Sequence, residues 1–284
     1  MKPRNPKMTK GMAFAGCSFT WGQCLWYYSN LSSLVVQEYN KYDSSYVNFT
    51  HKAFTEANRY PRLVANHFNT YELCQPFNGG SNSTILDYWK DYAFSDDSNI
   101  NQQRITNRNI RGPVYDIRDI DCFVLQFTAW PRSDITFEHR GKVYGPMQRW
   151  SLFTDHESLF HEYLEDNNIS VDRFFSDSKK NDVNMIKSFL LGLQKKGIRV
   201  FTLCWPHDLV QYILEDKWLS DNFIKIQYDG KEFTDIETLI KEYPEMSIMG
   251  DNDFFIEPPK DGHPSLKCHR VIADSIIRFI EQRA

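Results

Sequence analysis

Four short stretches of the chain are almost continuously apolar and are bounded by turn-forming residues: "GMAFAG" (Gly11–Gly16), "YELCQPF" (Tyr71–Phe77), "CFVLQFT" (Cys122–Thr128) and "RVFTLCW" (Arg199–Trp205). Unbroken apolarity predicts strands covered on both faces, as in a parallel sheet, rather than half-exposed strands, which alternate. A weaker fifth candidate is "FIKI" (Phe223–Ile226). Between these runs the apolar period changes to three and four. "YPRLVANHFN" (Tyr60–Asn69), "STILDYWKDYAF" (Ser83–Phe94) and "DVNMIKSFLLGLQKKG" (Asp182–Gly197) read as helices, and the last ends in the cations and glycine expected at a helix C-terminus. A final helix, "HRVIADSIIRFIEQ", presents Val271, Ile272, Ile276, Phe279 and Ile280 on one face. Strand and helix alternate, which predicts a three-layer α/β/α sandwich around a mostly parallel sheet.

Two polar excursions interrupt the alternation, around 95–118 and 131–181. Both leave from the side of the sheet where open α/β folds bind ligands, so each reads as a substrate-facing insertion or as solvated decoration. With no repeat and no low-complexity tract, the 284 residues are expected to form a single α/β domain. Composition changes this picture little: 41% hydrophobic and 25% charged residues suit an ordinary globular chain. A formal charge of −4 gives no reason to expect nucleic acid or an anionic membrane as partner. No apolar run approaches the roughly 20 residues of a membrane span, and the basic start is followed by too short an apolar run for a signal peptide. The six cysteines have neither metal spacing nor small-domain disulfide density, and a cytoplasmic setting is expected.

Three loops can carry chemistry. The first is Gly16-Cys17-Ser18-Phe19-Thr20, where a serine just past a strand can expose its hydroxyl beside backbone N–H groups; the plain alternative is a turn. The second is Asn78-Gly79-Gly80-Ser81-Asn82, whose glycines permit close backbone approach, or which simply turns the chain while Ser81 or Asn82 caps the next helix. The third is Asp261-Gly262-His263-Pro264-Ser265, where Asp and His two positions apart can meet and the carboxylate can fix the ring's tautomer. Here the alternative is a surface turn with a bystander histidine.

The order of these loops resembles that of the SGNH hydrolases, also called the GDSL lipase/esterase superfamily. The family has a serine block near the N-terminus, a glycine block, an asparagine block and an Asp…His-Pro block near the C-terminus. The resemblance runs over nearly the whole chain through about four short windows. It implies a flavodoxin-like sheet, with Ser18 as nucleophile, His263 as base and Asp261 as the acid that orients it. Asp251 and Asp253 are fallback acids. It further implies oxyanion donors at Ser18 and at Gly80 or Asn82, depending on how "NGGSNSTI" is aligned. Cys17 stands where the family usually has Asp. The third block departs further: "LQFTAWPRSD" has no asparagine, and Thr128, Trp130 and Arg132 occupy the loop. The implied reaction is cleavage of a carboxylic ester or O-acetyl group through an acyl-enzyme, with acyl transfer a variant and no metal or cofactor needed. The expected partner is a small-molecule or glycan ester. Trp21, Trp26, Trp130, Arg132 and Trp150 suit a sugar-like or polar ester, and His207, in "WPHD" after the fourth strand, is a candidate binder.

Rival readings follow from the same residues. Cys17 is an alternative nucleophile, although a side chain one position nearer the strand points to the other face. Cys268, His269 and His263 could form a metal site but are short of ligands. The departure in the third block also suits a weakened fold that binds a glycan or protein partner. Nucleotide binding is disfavoured, because the first loop lacks Gly-x-Gly-x-x-Gly.

Overall fold

The computed structural model describes residues 10–22, 24–28, 49–74, 81–94, 117–256 and 258–283. The chain enters through strand β1 (Gly11–Ala15), a short helix α1 (Ser18–Trp21), α2 (Phe49–Asn58), α3 (Tyr60–His67), β2 (Glu72–Cys74) and α4 (Asn82–Phe94). It continues through β3 (Ile120–Phe127), an antiparallel pair β4 (Asp134–His139) and β5 (Lys142–Gln148), α5 (Glu157–Asp166), and the long α6 (Val171–Lys195). Then come β6 (Arg199–Cys204), α7 (Val210–Glu215), α8 (Lys217–Asp221), a second pair β7 (Ile226–Tyr228) and β8 (Lys231–Phe233), α9 (Ile236–Glu242) and α10 (Leu266–Glu281).

The central sheet has four parallel strands in the order β2-β1-β3-β6. Helices flank it on both sides, which gives the expected three-layer α/β/α arrangement. Period-two alternation divides the apolar runs between the two faces. Ala13, Ala15, Phe123, Leu125, Phe127 and Val200 pack with Trp89 of α4 and Ile186, Phe189 and Leu190 of α6. Met12, Phe14, Val124, Phe201 and Leu203 pack with Tyr60 and Val64 of α3 and Ile272, Ala273 and Ile276 of α10. All six cysteines are free and buried, as small core residues. Among the described residues no helix is long and apolar enough to cross a membrane.

Several expected elements differ. The fifth strand, Phe223–Ile226, contributes only a single parallel bridge, Thr202 to Phe223. Ile226 instead opens the β7–β8 hairpin, because Ile224 and Ile226 turn into the core under α10. The helix expected from Asp182 begins at Val171, where Ser170 accepts a hydrogen bond from the Arg173 N–H and caps it. The excursion 131–181 is therefore largely folded. Its hairpin turns at Arg140-Gly141, both at positive φ, and Phe137, Leu152, Phe160 and Leu164 form a small core of their own. The excursion 95–118 lies outside the described residues up to position 116, as do positions 75–77 of the second expected strand.

Candidate active site

Ser18 follows the C-terminal end of β1, in the middle of the sheet. The approach is tight: a Cβ added at Gly16 would lie 2.0 Å from Thr20 Oγ1 and 3.0 Å from Gln126 Cβ, so only glycine fits. Ser18 is the first residue of α1, whose opening turn leaves its N–H groups without partners inside the helix. Gly22 ends that helix at φ +77°, its N–H donating to the Ser18 carbonyl at 3.0 Å. A buried polar network underlies the turn. Tyr60 Oη donates to Thr20 Oγ1 (2.9 Å), Thr20 Oγ1 donates to Gln126 Oε1 (3.2 Å), and Gln126 Nε2 donates to Cys17 Sγ (3.3 Å). Cys17 thus faces the α3/α10 core, fully buried, and it is the Ser18 hydroxyl that meets the histidine.

The other two members arrive on the segment leading into α10. Pro264 disfavours helical backbone at His263, so the helix starts only after Ser265. The Ser265 hydroxyl accepts from the Cys268 N–H and caps it. Main-chain bonds clamp the segment to its neighbour: Ile248 N–H to the His263 carbonyl and Met249 N–H to the Asp261 carbonyl, both 2.9 Å. His263 Nε2 lies 2.9 Å from Ser18 Oγ, and His263 Nδ1 lies 2.6 Å from Asp261 Oδ1. The same carboxylate oxygen accepts the His263 backbone N–H at 2.9 Å, so a two-residue separation suffices for the contact. With the Nδ1 proton donated to Asp261, Nε2 is left free to accept the serine proton. Ser18 is buried, whereas the side chains of His263 and Asp261 are about one-fifth exposed, at 22% and 21%; the imidazole is reachable from outside.

A partner of Asp261 that sequence reasoning missed is Cys24, whose thiol donates to Asp261 Oδ2 at 2.9 Å. Burial pushes the Asp261 pKa up, but the hydrogen bonds and charge of His263, with the thiol bond, outweigh it and hold the carboxyl at about 2. Burial, followed by the Asp261 charge, drives the Cys24 thiol far above its ordinary range. Cys24, Asp261 and His263 together bring three ligand-type atoms within 4.8 Å of one another. A metal there would need Cys24 as thiolate, the form its surroundings oppose, and the hydrogen bonds alone account for the cluster.

The remaining candidates fall elsewhere. Asp251 accepts from Tyr28 Oη (2.7 Å) and from the Phe254 N–H, so it pins its own loop, and Asp253 is exposed; of the three acids it is Asp261 that reaches His263. Gly80 lies outside the described residues. Ser81 caps α4, accepting from the Thr84 N–H at 3.0 Å. The Asn82 side chain is buried and committed: Oδ1 accepts the Thr128 N–H, and Nδ2 donates to the Thr128 carbonyl (each 3.0 Å) and to Asp182 Oδ2 (3.2 Å). Asn82 therefore fastens the loop after β3. Asp182 also accepts from Ser133 Oγ and Arg149 Nη2, both at 2.8 Å, a buried junction that no local pattern announced.

Trp130 is a buried packing residue against Phe175, with Arg149 and Lys179 over its ring. Arg132 stacks on Trp205, its guanidinium carbon 4.7 Å from the ring centroid. Trp205 lies 4.4 Å from the Phe19 ring, and Phe19 lies 5.1 Å from the His263 ring, so this aromatic wall runs up to the histidine. His207 has a largely exposed ring that contacts Asp235 (3.0 Å) and Thr238 (3.4 Å), at the start of α9. Trp150 is exposed, and its indole N–H donates to Gln148. The side chains of Trp21 and Trp26 lie outside the described residues. Cys268 is buried in the α10 core. His269 Nδ1 accepts the Tyr60 N–H at 3.2 Å, so these two neighbours do not join His263 in a ligand set. No protein-family model and no curated protein matches the chain.

Proposed function

We propose that the protein is a serine hydrolase of the SGNH/GDSL kind, cleaving a carboxylic ester or O-acetyl group. The observation that carries this reading is the unbroken hydrogen-bonded series Ser18 Oγ, His263 Nε2, His263 Nδ1, Asp261 Oδ1, with both links at 2.9 Å or less. Ser18 Oγ attacks the ester carbonyl while its proton passes to His263 Nε2. Asp261, ionised at any physiological pH, stabilises the imidazolium and fixes the ring. The tetrahedral oxyanion is received by the Ser18 N–H and by backbone N–H groups of the loop ending at Asn82. Collapse expels the alcohol, which takes its proton from His263. Water, deprotonated by the same nitrogen, then releases the acid and restores the serine.

The test is turnover of 4-nitrophenyl acetate and of acetylated sugars by purified protein, with Ser18→Ala and Cys17→Ala beside the parent. The reading predicts activity abolished by Ser18→Ala and retained by Cys17→Ala; the reverse pattern would overturn it. A second reading has one observation in its favour. The Asn82 amide is spent on Thr128 and Asp182, and it is not on hand as an oxyanion donor. Losing such a donor costs about 10²–10³ in rate, and a weakened site would serve as a glycan- or protein-binding module. Saturable glycan binding with no ester turnover would favour that module.

A further inference from the structure

Resting on the hydrolase reading above, we infer that the substrate is an anionic ester, and that Arg132 receives its carboxylate or phosphate. Arg132 belongs to the turn Trp130–Arg132 that follows β3. β3 is the neighbour of β1, and Ser18 follows the same, C-terminal, end of that strand. In open parallel sheets ligands lie in the crevice outside those ends.

Two other shielded guanidinium groups are neutralised by carboxylates. Arg149 meets Asp182 at 2.8 Å, and Arg59 meets Glu72 at 2.6 Å. Arg132 differs. Among the described residues no carboxylate lies within ion-pair reach of it; its Nη1 is shielded without an acceptor, as Arg149 Nε is, but no neighbouring acid cancels its charge. A shielded, charged N–H left without an acceptor is unfavourable. A guanidinium whose charge is left uncancelled on a wall that runs to the reactive centre is a binding site for an anion, which it meets through its open edge, Nη2 and Nε, opposite the sealed Nη1. Its contact is the Trp205 ring, which fixes the plane of the fork without cancelling its charge. Trp205 in turn packs on Phe19, the residue after the serine, and Phe19 packs on His263. The guanidinium is thereby tied to the same rigid wall as the nucleophile and the base, so its distance from the reacting carbonyl is set by packing. The anion stands on the ester itself and takes no part in bond breaking, so this is a specificity determinant.

The experiment uses two pairs of chromogenic esters that differ only by methylation of a carboxylate. One pair is 3-carboxy-4-nitrophenyl acetate and its methyl ester, with the charge on the leaving group. The other is mono-4-nitrophenyl adipate and its methyl ester, with the charge on the acyl side. In the parent protein at least one pair is expected to show kcat/KM about 10- to 100-fold higher for the free carboxylate, the range of one charge-assisted hydrogen bond. Arg132→Gln should bring that ratio to near one, and Arg132→Lys, which keeps the charge but loses the stacked fork, should leave an intermediate ratio. Ratios below about threefold in both pairs, or a preference that survives Arg132→Gln, would overturn the inference. Labelling of Ser18 by a neutral fluorophosphonate separates the two levels. Ser18 labelled with no carboxylate preference sinks the anionic substrate alone. No labelling and no turnover sinks the hydrolase reading and this inference with it.

Discussion

Removing the Asp182 carboxylate is the most informative perturbation of the framework behind the site. Its side chain is 2% exposed, and that of its partner Arg149 is 9% exposed. One carboxylate oxygen accepts from Arg149, and the other accepts from Ser133 and Asn82. Asp182→Ala leaves a guanidinium and two neutral donors facing a dry hole. Breaking a buried pair on one side costs about 3–5 kcal/mol. Arg149 keeps one bond, from Nη1 to the Trp130 carbonyl, which argues for the lower half of that range. Replacing both partners, as Asp182→Leu with Arg149→Met, removes the stranded charge and leaves only the Ser133 hydroxyl without an acceptor, at a cost of about 1–2 kcal/mol relative to the parent. With Asp182→Leu and Arg149→Met as its single variants, a double-mutant cycle should show a coupling of about 2 kcal/mol or more. Urea unfolding at pH 7.5, followed by tryptophan fluorescence and by circular dichroism, gives the required free energies where the two transitions coincide. A single-variant cost below about 1 kcal/mol, or a double variant as unstable as the sum of the singles, would show that Asp182 and Arg149 are not a coupled buried pair.

Two further outcomes are expected. Burial, with the charges of His263 and Arg59, lowers the His269 pKa to about 3, and protonation would set a new N–H against the Tyr60 N–H that Nδ1 now accepts. The unfolded chain binds that proton near the ordinary value of 6.5 and the folded chain does not. This site therefore removes stability as the pH falls from about 6.5 towards 3, at about 1.4 kcal/mol per unit. Between pH 7.5 and pH 5 the parent should lose about 2 kcal/mol more than His269→Asn in urea titrations; parallel losses would contradict the buried neutral imidazole. Cys24→Ala withdraws the thiol donor from Asp261 and should lower kcat/KM for an ester by about three- to tenfold, because a thiol is a weak donor even to a carboxylate. Cys24→Ser, which restores a donor, should recover most of that loss, and a serine variant as impaired as the alanine one would remove Cys24 from the account.

Local pattern carried the sheet well and the polar contacts poorly. The runs around Phe14, Val124 and Leu203 announce buried strands because continuous apolarity leaves few other places for them, and the turn residues around Gly16 and Pro264 mark where those elements stop. Ser18 and His263, 245 positions apart, could be paired only through the order of the loops and the resemblance it carries. The thiol of Cys24 on Asp261 and the Asp182 junction have no periodic signature. They join residues 237 and up to 100 positions apart, and only the folded backbone decides which donor meets which acceptor. Asn82 shows the same limit from the other side. Its position after the glycines suited an oxyanion donor through its backbone N–H or its side-chain amide; the amide is instead drawn to Thr128, whose main-chain groups at the end of β3 need partners once buried. The excursion after Pro131 read as polar because its small core rests on widely spaced residues, Phe137, Leu152, Phe160 and Leu164, supported by flanking aromatics.

Reaction with diisopropyl fluorophosphate, followed by intact mass and peptide mapping, tests most directly whether the hydroxyl beside His263 is a working nucleophile. A single phosphoryl adduct on Ser18 is expected in the parent, with labelling slowed by about 10³-fold or more in His263→Ala. An adduct on Cys17, equal labelling without the imidazole, or no adduct at all would contradict that expectation.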